Sequence, residues 1–247
     1  MAGAPRVQPE PILVMLHGLG ANRDVWAGWR TVLEARWPGR WVAPDLPGHG
    51  SEAWLPRYSF GGIAARVADL IDADRPVVVL GHSMGGVIGL ALASGWFGVR
   101  VDAVVGLGIK VAWTEEELTR VRGIAERPVG WFDARDEAAA RYLRVSGLTD
   151  LATEDSPTAS TGVSQVDGRW RLAQDPRTFG VGAPDMASLL AAARGSVVLA
   201  RGERDPMVSH EQLSGLEPNA ITLPDLGHNA HVEDPEAVAE LLEPYAR

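Results

Sequence analysis

Cysteine is absent from this 247-residue sequence, and lysine occurs once, as Lys110. The lack of cysteine excludes disulfide bonds, a thiol nucleophile and thiolate-bound metal or iron–sulfur sites. Lys110 does not end a GxxxxGK motif, so the sequence contains no phosphate-binding loop of that kind, and only one residue is available for lysine Schiff-base chemistry. We therefore expect neither a cofactor nor a bound metal.

Long apolar runs are also missing. No run approaches the ~18 residues of a membrane-spanning helix, so we expect no membrane span. Residues 1–11 contain three prolines and no apolar stretch of signal-peptide length, which predicts a cytoplasmic protein that is not exported.

The formal net charge is −9, and this sign argues against nucleic-acid binding because contacts with phosphates need a basic surface. The sequence predicts no oligomeric state.

Short apolar runs alternate with helical patterns along most of the chain. Six runs are rich in β-branched residues and apolar on both faces, as is typical of buried parallel strands. These predicted strands cover residues 12–16, 41–43, 77–80, 103–107, 197–200 and 220–223. Strands that alternate with helices indicate a mostly parallel central sheet with helices on both faces, so the predicted fold class is α/β.

One stretch interrupts this alternation, because no buried-strand run occurs in residues 111–194. A connection of that length needs its own structure or its own function. Asp133 is a candidate cap for a helix that ends at Gly147, and Asp167-Gly168 predicts a hairpin turn. The predicted organisation is a core with an inserted, mostly helical cap: core residues 1–110 and 195–247, and cap residues 111–194.

The most specific local pattern is the glycine-rich sequence Gly81-His82-Ser83-Met84-Gly85-Gly86. It follows the predicted strand 77–80 and precedes a helical pattern, so the serine lies on a sharp turn. Small residues two positions to either side let the backbone turn and let a substrate approach. The pattern makes Ser83 a candidate nucleophile. The alternative is a glycine-rich turn whose serine has no chemical role.

A serine hydroxyl needs a base to act as a nucleophile at neutral pH. Among the six histidines, His228 is the best candidate because it follows the last predicted strand and precedes the final helix. His231 is the competing candidate. The base in turn needs an acid that fixes its tautomer. Asp205 follows the strand 197–200 and fits this role, with Glu203 as the rival.

Acyl-transfer chemistry also needs donors for the developing oxyanion. The sequence His17-Gly18-Leu19-Gly20 follows the first predicted strand. It places the backbone N–H of Leu19 at the end of that strand, and the backbone N–H of Met84 at the start of the helix is the second candidate donor. Alone, an HGxG sequence is weak evidence for an oxyanion hole; here its strand is expected to neighbour the strand of Ser83.

Together these patterns resemble the α/β-hydrolase superfamily, in which nucleophile, acid and base follow one another in the order of Ser83, Asp205 and His228. The resemblance covers residues 12–110 and 197–247. The motifs that carry it are residues 17–20, 45–51, 81–86, 202–208 and 227–235. It implies that the cap is inserted after the sixth family strand, that His228 is catalytic, and that His49 and His231 are structural.

The resemblance is strongest to the carboxylesterase and lipase-like branch, because related dehalogenases and epoxide hydrolases have aspartate where Ser83 stands. It implies a serine esterase that cleaves small to medium, largely apolar carboxylic esters through an acyl-enzyme on Ser83. The expected partner is a small-molecule ester. Two alternatives stay open: a lactonase or carbon–carbon bond hydrolase that uses the same three residues, and a ligand-binding receptor with a vestigial hydrolase site.

Two groups of side chains in the predicted cap bear on substrate choice. Some of its aromatic residues are candidates for an apolar pocket, the alternative being contacts between cap and core: Trp113, Trp131, Phe132, Tyr142, Trp170 and Phe179. Its arginines form a solvated face, or one of them binds a substrate carboxylate: Arg120, Arg122, Arg141, Arg144, Arg169 and Arg171.

Overall fold

The computed structural model describes residues 10–72 and 74–246. Residues 1–9 belong to the stretch from which we predict no export signal, and they lie outside the described residues. Within the two described ranges, none of the helices combines the length and the apolar character needed to cross a bilayer.

The central sheet has six strands in the order β2-β1-β3-β4-β7-β8, and every neighbouring pair is parallel. A separate antiparallel hairpin is formed by β5 and β6. The strands are β1 (Ile12–Leu16), β2 (Trp41–Val42), β3 (Val77–His82), β4 (Val101–Leu107), β5 (Val163–Val166), β6 (Arg169–Leu172), β7 (Ser196–Gly202) and β8 (Ile221–Leu223). The predicted α/β class is confirmed, and all six predicted strands are present: the first has the predicted bounds, and the other five have shifted ends.

Helices cover both faces of this sheet. The α-helices are α1 (Arg30–Arg36), α2 (Phe60–Ala68), α3 (Met84–Ala93), α4 (Glu115–Ala125), α5 (Arg135–Ser146), α6 (Pro157–Thr161), α7 (Met186–Ala192), α8 (His210–Ser214), α9 (Ala230–Glu233) and α10 (Pro235–Ala239). Three 3₁₀ helices cover Arg23–Trp29, Pro176–Val181 and Glu240–Tyr245. The central strands β1 and β3 are buried along their whole length, which explains why their sequences are apolar on both faces.

The segment between β4 and β7 contains four α-helices and the hairpin. The predicted hairpin turn is present, with Asp167 and Gly168 both at positive φ, 49° and 82°. The predicted cap of α5 is wrong: the helix begins at Arg135, and its N-cap residue is Ala134. Asp133 instead accepts a hydrogen bond from Arg169 Nε at 3.2 Å, so a contact between distant residues replaces the local one.

A buried hydrogen-bond network joins this segment to the rest of the molecule. Asn22 donates from Nδ2 to the Thr158 carbonyl at 2.8 Å and accepts from the Thr158 hydroxyl at 3.2 Å. The Tyr142 hydroxyl lies 2.6 Å from that same Thr158 oxygen. Asn22 also caps the 3₁₀ helix Arg23–Trp29 by accepting from the N–H of Asp24. One buried asparagine therefore both starts a helix and anchors α6.

We expect Asn22→Ala to lower the free energy of unfolding by about 2–3 kcal/mol, because it removes a helix cap and two buried hydrogen bonds to Thr158. Urea denaturation followed by circular dichroism measures the change. Asn219→Ala is the matched control, since Asn219 is exposed and bonds only to Glu217, and we expect a change within about 0.5 kcal/mol. Equal values for the two variants would contradict the anchoring role.

Four of the histidines are buried: His17, His49, His82 and His231. Burial lowers the pKa of His49 and of His231 to about 3, because the charged imidazolium loses its hydration. Burial also lowers the pKa of His17 and of His82. The folded protein therefore holds these rings neutral. Within the described residues, neither ring nitrogen of His231 has a hydrogen-bond partner.

This burial makes stability dependent on pH. The unfolded chain binds protons on these histidines below about pH 6.5, whereas the folded chain does not. The free energy of unfolding is therefore highest above pH 6.5. It falls as the pH decreases toward 3, by up to about 1.4 kcal/mol per pH unit for each such histidine.

His231→Phe tests this dependence, since the variant removes one titrating ring without breaking a hydrogen bond. We expect stability close to the wild-type value at pH 7.5 and a shallower loss between pH 6.5 and 4.5. Urea titrations at a series of pH values measure both quantities. An unchanged slope would show that the His231 ring is not kept neutral by burial.

Candidate active site

Ser83 occupies the turn between β3 and α3. Its backbone has φ 49° and ψ −116°, a conformation that non-glycine residues rarely adopt and that costs of order 1–3 kcal/mol. The Ser83 N–H donates to the Leu107 carbonyl at 2.8 Å, which ties the turn to the end of β4. The chain therefore holds this serine in a strained position at the carboxyl edge of the sheet.

Two glycines make the turn possible through close backbone contacts. A Cβ atom at Gly81 would lie 2.5 Å from the backbone of Gly85, and a Cβ atom at Gly85 would overlap the carbonyl of Leu16. Such distances leave no room for any side chain. The two small residues that flank Ser83 in the sequence pattern are thus required by the packing of α3 against β1 and β3.

His228 and Asp205 meet at the same edge of the sheet. His228 follows β8, Asp205 follows β7, and the distance from His228 Nδ1 to Asp205 Oδ2 is 2.9 Å. A carboxylate accepts hydrogen bonds, so Nδ1 carries the proton and Nε2 keeps a free lone pair. The Asp205 side chain is fully buried, whereas the His228 side chain is 22% exposed. The rival acid, Glu203, instead accepts from the N–H of Asp225.

The Asp205 turn is held by a buried arginine that the sequence analysis missed. Arg201 Nε donates to the Val208 carbonyl at 2.7 Å, and its Nη2 donates to the carbonyls of Glu203 and Asp205. Asp205 Oδ1 also accepts from the N–H of Met207 at 2.7 Å. In the sequence, this role is indicated by the presence of a charged residue, Arg201, inside the otherwise apolar strand β7.

The candidate nucleophile and the candidate base line one cavity of about 420 Å³. Among the described residues, no hydrogen bond links Ser83 Oγ to the His228 ring. Such hydrogen bonds are often long in unliganded enzymes and shorten when substrate binds. The structure thus brings Ser83, Asp205 and His228 to one edge of the sheet, with only the acid–base pair in direct contact.

The two candidate oxyanion donors line the same cavity. In the described ranges, neither the N–H of Leu19 nor that of Met84 donates to another protein group. Two neutral histidines fix the peptides around Leu19. His17 Nδ1 donates to the Gly18 carbonyl at 2.8 Å, and the Gly20 N–H donates to His49 Nε2 at 3.3 Å.

His82 contacts the loop of the candidate base. Its Nε2 donates to the His228 carbonyl at 2.9 Å, and its ring centroid lies 4.7 Å from that of His228. The ring of His231 also packs against His82, with the ring centroids 4.2 Å apart. The residue next to Ser83 therefore positions the backbone of His228, a role that its place in the sequence did not reveal.

Apolar side chains form most of the cavity wall. Of the six aromatic residues proposed from the sequence, Trp113 and Phe179 line the cavity. Tyr142 is instead one of the buried residues of α5, and Phe132 pairs with Trp170 through backbone hydrogen bonds. The wall also contains four charged residues: Lys110, Glu117, Arg120 and Arg144. The cavity beside Ser83 is therefore mostly apolar, with a small group of charged side chains in its wall.

Parts of this chain are similar in sequence to known proteins. A 138-residue segment is 34% identical to lipase LipV of Mycobacterium tuberculosis, covering 53% of this chain and 51% of that protein. A 179-residue segment is 38% identical to the magnesium-chelatase 30 kDa subunit of Rhodobacter capsulatus, covering 66% and 61%. An 80-residue segment is 39% identical to a pimeloyl-[acyl-carrier protein] methyl ester esterase of Neisseria meningitidis, covering 32% and 30%. Each match spans less than two thirds of the relative.

The backbone also resembles solved structures. One is E-2-(acetamidomethylene)succinate hydrolase, with a TM-score of 0.77 and 21% sequence identity over 96% of this chain and 92% of that one. This likeness shows a shared fold. The model of the alpha/beta hydrolase family matches residues 13–241. Because that match covers most of the sequence, the chain belongs to the alpha/beta hydrolase family.

Proposed function

We propose that this protein is a serine hydrolase that cleaves carboxylic esters of small to medium, largely apolar substrates. The observation that carries the proposal is the 2.9 Å hydrogen bond from His228 Nδ1 to Asp205, at the wall of the cavity that also exposes Ser83. This bond leaves His228 Nε2 as the free base. Relatives named as a lipase and a methyl ester esterase support the choice of ester substrates.

Acylation begins when Ser83 Oγ attacks the carbonyl carbon of the ester. The Oγ proton passes to His228 Nε2 as the new bond from oxygen to carbon forms. The tetrahedral oxyanion accepts hydrogen bonds from the N–H groups of Leu19 and Met84, each of which contributes about 3–4 kcal/mol to the transition state. The bond from carbon to the alcohol oxygen then breaks, and the imidazolium gives its proton to the leaving alcohol.

Deacylation repeats these steps with water. His228 Nε2 takes a proton from the water molecule as its oxygen attacks the acyl carbon. The bond between that carbon and Ser83 Oγ breaks, and Oγ regains a proton from the imidazolium. The products are a carboxylic acid and the free enzyme. Asp205 holds the imidazole in the required tautomer during both steps, and its negative charge stabilises the imidazolium.

We also propose that residues 111–194 act as a cap over a core formed by residues 1–110 and 195–247. The support is that this segment contributes Trp113, Val121 and Phe179 to the cavity wall, next to residues from the loop after β1, from β3 and from α3. Apolar side chains from two parts of the chain thereby enclose the acyl or alcohol portion of the ester. Mostly apolar walls of this kind are typical of small-molecule sites.

A fluorophosphonate probe tests the nucleophile. We expect the probe to add one label at Ser83, because only an activated serine reacts rapidly with it. Mass spectrometry of the labelled protein identifies the site. Ser83→Ala is expected to lose labelling and p-nitrophenyl ester turnover, whereas Ser188→Ala, at an exposed serine of α7, keeps both. Labelling at another serine would reject this mechanism.

Replacement of the acid distinguishes Asp205 from Glu203. Asp205→Asn favours the tautomer with the proton on Nε2, which cannot accept the proton of Ser83, so we expect kcat to fall by about 10³–10⁴-fold. Glu203→Gln, two residues earlier in the same turn, is expected to change kcat less than about threefold. Steady-state kinetics with p-nitrophenyl butyrate measure both variants. A larger loss in the Glu203 variant would reverse the assignment.

A further inference from the structure

The charge of the cavity wall differs in sign from that of the whole chain. Three basic residues and one acidic residue line the cavity, which gives the wall a formal charge of +2 in a protein whose net charge is −9. These residues are Lys110, Arg120, Arg144 and Glu117. A cavity of opposite sign to its surroundings attracts anionic ligands.

Two of the three cations already have carboxylate partners. Lys110 Nζ lies 3.0 Å from Glu117, and Arg120 Nη2 lies 3.1 Å from Glu116. The Thr114 N–H donates to the Glu117 carboxylate, and this hydrogen bond together with Lys110 lowers the pKa of Glu117. Both cations thus already have a carboxylate at ion-pair distance before any ligand arrives.

Arg144 differs from these two residues. Within the described part of the chain, its guanidinium has neither an ion-pair partner nor a hydrogen bond, although it lines the cavity. It is exposed near the C-terminal end of α5, so water covers the charge when the cavity is empty. The unpaired charge at the cavity wall is therefore available to a ligand.

The C-terminal end of α5 is fixed against the loops that carry His228 and Leu19. Asn229, which follows His228, donates from Nδ2 to the Gly147 carbonyl at 2.9 Å. On the other side, a Cβ atom at Gly20 would lie 2.8 Å from Val145 Cγ1, so α5 packs directly against the loop of Leu19. These contacts fix the backbone of α5 at Arg144 relative to both loops.

The other cap arginines are engaged elsewhere or lie outside the cavity wall. Arg122 pairs with Glu115, Arg169 pairs with Asp133, and Arg171 lies 4.3 Å from the ring centroid of Trp54. Arg141 is exposed on α5, one turn before Arg144, and does not line the cavity. The structure thus distinguishes Arg144 from the five other arginines considered in the sequence.

We propose that Arg144 is a specificity-determining residue that binds an anionic group, above all a carboxylate, carried by the ester substrate at a position remote from the scissile bond. A guanidinium binds a carboxylate through two parallel hydrogen bonds, which gives both orientation and affinity. The apolar wall contacts the carbon chain between the ester and the anionic group. This inference rests on the proposed ester hydrolysis, and it defines the substrate class as esters that carry a second, negatively charged group.

Matched pairs of chromogenic esters test the proposal. Mono-p-nitrophenyl glutarate carries a carboxylate on the acyl side, and methyl p-nitrophenyl glutarate is its neutral counterpart. 3-Carboxy-4-nitrophenyl butyrate carries the carboxylate on the leaving group, and p-nitrophenyl butyrate is its neutral counterpart. For each pair, the ratio of kcat/KM for the anionic ester to that for the neutral ester is measured.

We expect Arg144→Met to lower this ratio by about tenfold in one of the pairs, because a charge-assisted hydrogen bond is lost. The affected pair identifies which half of the substrate carries the anion. Arg141→Met, one turn earlier on the same helix, is the matched control and keeps the wild-type ratio. Wild-type turnover of the esters with no effect of Arg144→Met on either ratio would overturn the proposal.

A binding measurement tests the anion subsite independently of ester hydrolysis. Calorimetric titration of Ser83→Ala protein with monomethyl glutarate measures the affinity of the subsite for its ligand in the absence of turnover. We expect Ser83→Ala/Arg144→Met to bind about tenfold more weakly than Ser83→Ala/Arg141→Met. If the wild type hydrolyses no ester but this difference persists, the hydrolase assignment fails and the anion subsite stands. Equal affinities, together with unchanged ratios for both ester pairs, would reject the subsite.

Discussion

The site depends on one strained residue, Ser83, at the turn where β3 ends and α3 begins. Its positive φ directs the chain sharply from strand to helix, and the surrounding structure must stabilise that conformation. The stabilising contacts are the hydrogen bond to Leu107 and the close packing of Gly81 and Gly85, which bring α3 against the central strands. The orientation of the serine, the free N–H of Met84 and the cavity beside them all follow from this turn.

Much of the sheet and the positions of the site residues were predictable, because both follow from local patterns. Buried parallel strands are apolar on both faces, so the runs that became β1, β3 and β4 are evident in the sequence. The carboxyl ends of parallel strands meet at one edge of the sheet, so residues that follow β7 and β8 were expected to approach Ser83. The contact between Asp205 and His228 agrees with that expectation.

Contacts between distant parts of the chain were not predictable in the same way. Asp133 has the sequence features of a helix cap, yet it bonds to Arg169, because tertiary contacts outweigh weak local preferences. The supporting role of Arg201 depends on the carbonyls of a turn whose path the sequence does not specify. Likewise, Arg141 and Arg144 lie one turn apart on the same helix, and the packing of α5 determines which of them reaches the cavity.

The two helices that border the cavity are held very differently. Helix α5 buries five of its residues and is anchored at both sides, whereas α4 buries none of its residues. A displacement of α4 therefore exposes less buried apolar surface than a displacement of α5, which disrupts the core. The cavity accordingly has a rigid side and a compliant side. We therefore expect a larger ligand to displace α4 more readily than α5.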